Sequence, residues 1–147
     1  MIRLSRFAAC ALTLSVITPA LAADPPACPP PSGDSLWPSG ASAAEGGVLV
    51  PGKAAQVALQ QGKDGKYSGK ATVDVPSAGT YAVSLGSAAW IDLAENGQVI
   101  SSIGHGHGPA CSGIRKIVRF TLHPGRHEVL LSRSNQERVQ VLIERTD

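Results

Sequence analysis

The segment with the most chemical potential is Gly104-His105-Gly106-His107-Gly108-Pro109-Ala110-Cys111. In an extended chain His105 and His107 stand on one side, with Cα atoms roughly 6.5–7 Å apart. Two imidazoles at that spacing can meet one divalent transition metal such as Zn, Cu or Fe. A third ligand would come from His123 or His127, which flank one turn, from Asp92 or Glu95, or from Cys111 as a thiolate. All four histidines of the chain fall between positions 105 and 127. The competing reading is a solvated glycine loop. Gly104, Gly106 and Gly108 would loosen the backbone, and ordering it around a metal costs conformational entropy.

Cys111 has two readings of its own. As a metal ligand it would leave Cys28 an orphan thiol. Paired with Cys28 it would be structural, closing a loop of roughly 80 residues that chain-entropy arguments value at about 4.5 kcal/mol. Downstream, Ile114-Arg115-Lys116-Ile117-Val118-Arg119 puts three cations beside the histidines, a set able to hold a carboxylate, sulfate or phosphate. The plainer reading of those cations is solvated strand faces and ends. Trp90 alternates with Ala89, Ile91 and Leu93, so Trp90 and Asp92 share the outward face if the aliphatic residues face a core. An exposed indole beside a carboxylate suits a sugar, whose C–H faces pack on the ring. The alternative for Trp90 is ordinary burial.

Other chemistries have no carrier here. The chain contains no G-x-S-x-G elbow, no P-loop, no C-x-x-C and no H-E-x-x-H. No nucleophile–base pair and no catalytic residue can be nominated.

The compartment follows from the first residues. Arg3 and Arg6 precede an apolar run from Phe7 to Ile17, and Pro19-Ala20-Leu21-Ala22 supplies a small-x-small site. This is the pattern of a secretory signal peptide over residues 1–22, too short to span a bilayer. No later segment is long enough to span either. The expected location is periplasmic or secreted. Of the 13 Lys and Arg residues, Arg3 and Arg6 leave with the leader, so 11 remain against 11 Asp and Glu, a formally neutral chain. That balance argues against electrostatic capture of nucleic acid. Loss of Cys10 leaves Cys28 and Cys111, an even pair that favours the disulfide outside the cytoplasm.

The elements that must position these residues are strands. Residues 23–47 are rich in Pro, Ser, Gly and Ala and read as an N-terminal arm, with Leu36-Trp37 packing onto the domain. Residues 48–147 read as one β-sandwich domain. Within it Ala71, Val73 and Val75 alternate with polar residues, as do Val118, Phe120 and Leu122. Tyr81, Val83 and Leu85 form a further inward set, and so do Val139, Val141 and Ile143. Ala54 to Gln61 reads as a further strand. Pro76-Ser77-Ala78-Gly79 and His123-Pro124-Gly125-Arg126 mark turns, and Glu95-Asn96-Gly97 marks a hairpin. The sum is an all-β, antiparallel, jelly-roll-like sandwich of about seven to nine strands. With only 4% aromatic residues, its core must rest on Val, Leu, Ile and Ala.

Two resemblances follow from these segments. Val73-Asp74-Val75-Pro76-Ser77-Ala78-Gly79-Thr80-Tyr81, the Glu95-Asn96-Gly97 hairpin and Leu122-His123-Pro124-Gly125-Arg126-His127 resemble the jelly-roll modules of secreted bacterial proteins. Carbohydrate-binding modules and pre-peptidase C-terminal domains share this cadence, over about residues 69–143. Separately, Trp90-Ile91-Asp92 through Ser102, with His105 through Lys116, resembles a group of short exported bacterial proteins that often carry the name homogentisate 1,2-dioxygenase. That name would imply an oxidoreductase. The homogentisate dioxygenases proper are far longer cytoplasmic cupins that hold iron with two His and a Glu.

Three functions compete. The leading one is an exported, non-catalytic binding or accessory module whose surface is the His105–Lys116 loop with the 123–127 turn; its ligand is not specified by the sequence, a small anion or a glycan being the candidates. The second is a metal-dependent enzyme using His105 and His107. The third is a carbohydrate-binding module centred on Trp90.

Overall fold

A computed structural model describes residues 42–43 and 47–147. The leader, Cys28 and the Leu36-Trp37 anchor lie outside the described residues. Twelve strands follow in chain order: β1 (Ser42–Ala43), β2 (Val48–Leu49), β3 (Ala55–Ala58), β4 (Gln60–Gln61), β5 (Tyr67–Val75), β6 (Gly79–Leu85), β7 (Trp90–Glu95), β8 (Gln98–Ile100), β9 (Gly104–Gly106), β10 (Lys116–Leu122), β11 (Gly125–Ser134) and β12 (Arg138–Arg145). Three of these, β1, β2 and β4, are two-residue pairings, and the other nine match the upper end of the sequence expectation.

The strands form two sheets. One runs β1-β3-β12-β6-β10-β9 and the other β2-β5-β11-β7-β8, with β4 also pairing β5. Every pairing is antiparallel except two short parallel ones, β1 with β3 and β2 with β5. Most links pass from one sheet to the other, for instance β5 to β6, β6 to β7, β10 to β11 and β11 to β12. That wrapping is what makes the sandwich jelly-roll-like. β1 lies in the stretch read as arm, and its Ser42 pairs with Ala55.

The period-2 pattern explains the core. Ala71, Val73, Val75, Tyr81, Val83, Leu85, Val118, Phe120, Leu122, Val139, Val141 and Ile143 are all buried in one cluster shared by both sheets. Tyr81, too polar to be left unmatched, donates its hydroxyl proton to the Ser77 carbonyl at 2.9 Å. The turns behave as their residues dictate. Glu95 pairs with Gln98 around Asn96 and Gly97, whose φ values are 50° and 79°. Positive φ at both central positions is the type I′ signature, which Asn-Gly reaches at least cost.

The alternation fails in places, most clearly in the first sheet. Ala82 and Ser84 of β6 and Leu142 of β12 should face water, yet all three are buried. A small second cluster on the outer face of the first sheet explains this for Leu142. Ala54 and Leu142 pack there with Ile114 from the loop before β10. The loop carrying Cys111 is therefore anchored on the sheet at Ile114, while Pro109, Ala110 and Cys111 are exposed.

Candidate functional site

β8 and β9 are the edge strands of opposite sheets on the same side of the sandwich, joined through Ser101, Ser102 and Ile103. Several of the expected site residues gather beside this side. Trp90, His105, His107, Arg115 and Lys116 line one cleft of about 380 Å³, with Ala88, Ala89, Gly106 and Arg133. Trp90 is 53% exposed, while Ala89, Ile91 and Leu93 are buried. The facing read from the strand alternation thus puts the indole at the surface.

Arg133 was not legible as a site residue, and a β-bulge puts it there. Leu131 pairs with Gly69 and Ser134 with Tyr67, so β11 spends one residue more than β5 over that interval. The extra residue lets Ser132 and Arg133 both avoid the core while Leu131 and Ser134 are buried. Arg133 takes a φ of 56°, a left-handed conformation costing about 1–2 kcal/mol for an L-residue. Ser132 is the cross-strand partner of Trp90, which brings the neighbouring Arg133 guanidinium to 5.9 Å from the indole centroid. One clue was available: strict alternation from Val129 and Leu131 would bury Arg133, and an unpaired arginine in that phase signals a bulge.

Lys116 reaches the same ring from the first sheet. Its Nζ sits 5.0 Å from the Trp90 centroid and donates to the Ala89 carbonyl at 3.1 Å. Each such cation–ring contact is worth about 0.5–1 kcal/mol at an exposed site. Arg115 is exposed, and its backbone N–H donates to the Leu85 carbonyl at 2.8 Å. The ion pairs of the described residues are Lys70–Glu128, Arg126–Asp74 and Arg145–Asp147. None involves Arg115, Lys116 or Arg133. No carboxylate lines this cleft. Three basic side chains therefore line one cleft, two of them against its indole, with no ion pair to any of them among the described residues.

The histidine strip is more ordered than its glycines suggest. Gly104–Gly106 is an edge strand paired to β10, with His105 opposite Val118. Ile103 extends the ladder by donating to the Arg119 carbonyl at 2.8 Å. Added Cβ atoms at Gly104 and Gly106 would meet nothing within 4 Å. Gly108 differs. A Cβ there would collide with Ile114 Cβ, so this glycine serves close packing rather than looseness. The Gly108 N–H also donates to the Ile114 carbonyl at 3.2 Å. Between them a turn closes through Ser112 N–H to the Pro109 carbonyl at 3.1 Å, with Cys111 at φ 63°. The tip of this loop is exposed, and its base is anchored on the Ala54–Leu142 cluster by Ile114.

His107 is also constrained. Its Nδ1 lies 2.9 Å from the Arg115 carbonyl, so Nδ1 carries the proton and donates. In the neutral ring Nε2 is then the acceptor. His105 and His107 share the cleft, but His123 and His127 do not line it. They follow the far end of β10, whose seven residues span roughly 20 Å. His127 is fully buried, and its Nε2–H donates to the His123 carbonyl at 2.8 Å. Its Nδ1 has no partner. Among the described residues no three His, Cys, Asp or Glu side chains converge as a metal-binding group. Cys111 is exposed and is not a free thiol. The expected partner, Cys28, lies outside the described residues.

Asp92, half-buried, sits across Trp90 in a second depression, described below. Among the described residues no helix is long and apolar enough to cross a membrane.

No known family matches the chain, and neither does any curated protein. Among solved structures it is similar to the pre-peptidase C-terminal domain of a collagenase from Bacillus anthracis, at 15% identity and a TM-score of 0.44. That likeness covers 65% of this chain and 91% of the other. None of these comparisons connects the chain to a dioxygenase.

Proposed function

We propose that this protein is an exported, non-catalytic binding module that takes an anionic ligand in the Trp90 cleft. The observation that carries this reading is the company of its cations. Arg115, Lys116 and Arg133 converge in a chain whose mature charge balances, with no carboxylate lining the cleft and no ion pair to any of them among the described residues. A cluster of like charge raises its own energy, and an incoming carboxylate, sulfate or phosphate relieves that. The indole keeps Lys116 and Arg133 at the cleft without competing for the anion, since a ring quadrupole attracts a cation but supplies no counter-charge.

Export is inferred from the leader-like residues 1–22, and a Cys28–Cys111 disulfide would fasten the arm beside the cleft. The enzyme reading would use His105 and His107 as ligands to Zn, Cu or Fe, and it needs a third ligand that the described residues do not bring to them.

The test is an NMR titration of the full mature chain with sodium sulfate at low ionic strength. Shift changes should concentrate at the Trp90 indole N–H and the amides of Arg115, Lys116 and Arg133. An Arg115→Gln, Arg133→Gln double variant should weaken binding by about tenfold, equivalent to about 1.4 kcal/mol. Shifts scattered over other surface cations, or unchanged affinity in the double variant, would refute the reading.

A further inference from the structure

The anion cleft does not end at Trp90. Trp90, His105 and Lys116 also line a second depression of about 280 Å³, opening between β8 and β9. The two spaces therefore adjoin, with Trp90, His105 and Lys116 between them. Their chemistry differs. The first is cationic. The second offers the Ser101 and Ser102 hydroxyls and the Asp92 carboxylate over an apolar base that includes Phe120. Volumes of this order fall near the lower end of small-ligand sites, about 300–1,000 Å³.

Resting on the anion reading of the cleft, we propose that the joined groove binds an acidic oligosaccharide in which a uronic acid unit is followed by a neutral sugar. The carboxylate of the acidic unit meets Arg115 and Arg133, and an arginine fork fits a carboxylate through two parallel hydrogen bonds. The chain then passes along the exposed part of the indole of Trp90, beside the Lys116 and Arg133 contacts, where sugar C–H groups meet apolar area. His107 Nε2 accepts from a sugar hydroxyl, because its Nδ1 proton is committed to the Arg115 carbonyl. The next unit lies among hydroxyls and beside Asp92. A second carboxylate there would face a like charge, so this half of the groove selects for a neutral sugar. Lys116, with one ammonium proton on the Ala89 carbonyl, retains two for ligand oxygens at the junction.

The experiment is calorimetric titration of the mature protein with hyaluronan tetrasaccharide, tetragalacturonate and cellotetraose, with inorganic sulfate as a fourth probe. The alternating acidic–neutral tetrasaccharide should bind about tenfold more tightly than either of the others. Asp92→Asn should close the gap to tetragalacturonate. Equal binding of cellotetraose, or tighter binding of tetragalacturonate by the unaltered protein, overturns the inference. Sulfate bound with no tetrasaccharide bound overturns it while leaving the anion reading intact. No binding of any of the four probes removes both.

Discussion

Gly108→Ala is the most informative single substitution for the scaffold beneath the site. The new Cβ would collide with Ile114 Cβ and sit 2.7 Å from its Cγ2 and 2.7 Å from its carbonyl oxygen. Ile114 cannot yield freely, because it packs on Ala54 and Leu142. Relief requires the two loop strands to part, which breaks the Gly108–Ile114 hydrogen bond. Overpacking costs about 1–3 kcal/mol and the lost hydrogen bond about 1 kcal/mol, giving about 2–4 kcal/mol together. With a urea dependence of about 1–3 kcal/mol per M for small domains, the unfolding midpoint should fall by about 1–2 M. Gly104→Ala and Gly106→Ala are the controls. Neither glycine has positive φ, and neither Cβ meets an atom within 4 Å. Both should hold or raise stability, by up to about 1 kcal/mol, through a less disordered unfolded chain. The assay is equilibrium urea unfolding of the oxidised protein followed by circular dichroism. If Gly108→Ala unfolds with the same midpoint as the parent, the clamped-loop account is wrong. Equal destabilisation by all three substitutions would contradict it as well.

Two further outcomes concern Arg133 and the C-terminal residue. Arg133→Gly should change stability by no more than about 1 kcal/mol, since relief of the left-handed strain offsets the loss of a ring contact and the entropy of glycine, while sulfate binding weakens. A fall of more than about 2 kcal/mol in urea unfolding would show that Arg133 is structural. The Asp147 carboxyl is held below its ordinary 3.8 chiefly by the Arg145 side-chain hydrogen bond, helped by the Thr80 amide. Its folded value being depressed, its contribution is present above pH 3.8 and is lost as pH falls through the lower folded value. The Thr80 amide resonance should therefore titrate below pH 3.8, and titration at or above that value would contradict the pairing.

The strands were legible because buried and exposed residues alternate cleanly in β5 and β10, and because Asn96-Gly97 encodes a turn that few other pairs can adopt. The outward Trp90 followed from the same period. What escaped was whatever depends on contacts distant in sequence. Leu142 is buried on the face that alternation assigns to water, because it packs there with Ile114 and Ala54. Ile114 comes from a loop whose glycines, read locally, promised looseness. Position 108 needs glycine because of a neighbour six residues away. Arg133 reaches the cleft through an inserted residue that shifts the phase of β11. The four histidines are close in sequence, yet β10 carries the chain from one pair to the other, and length along a strand is distance in space. The arm and Cys28 lie outside the described residues, so the tether from Cys111 stays a proposal.

The central claim is that three unneutralised cations around Trp90 make a place for an anion. Anomalous diffraction from crystals soaked in selenate, an analogue of sulfate, locates that place directly. The account predicts the strongest selenium peak within hydrogen-bonding distance of the Arg115 and Arg133 guanidinium groups and the Lys116 ammonium, beside the indole. Selenium confined to other surface cations such as Arg138, with the Trp90 cleft empty, would contradict it.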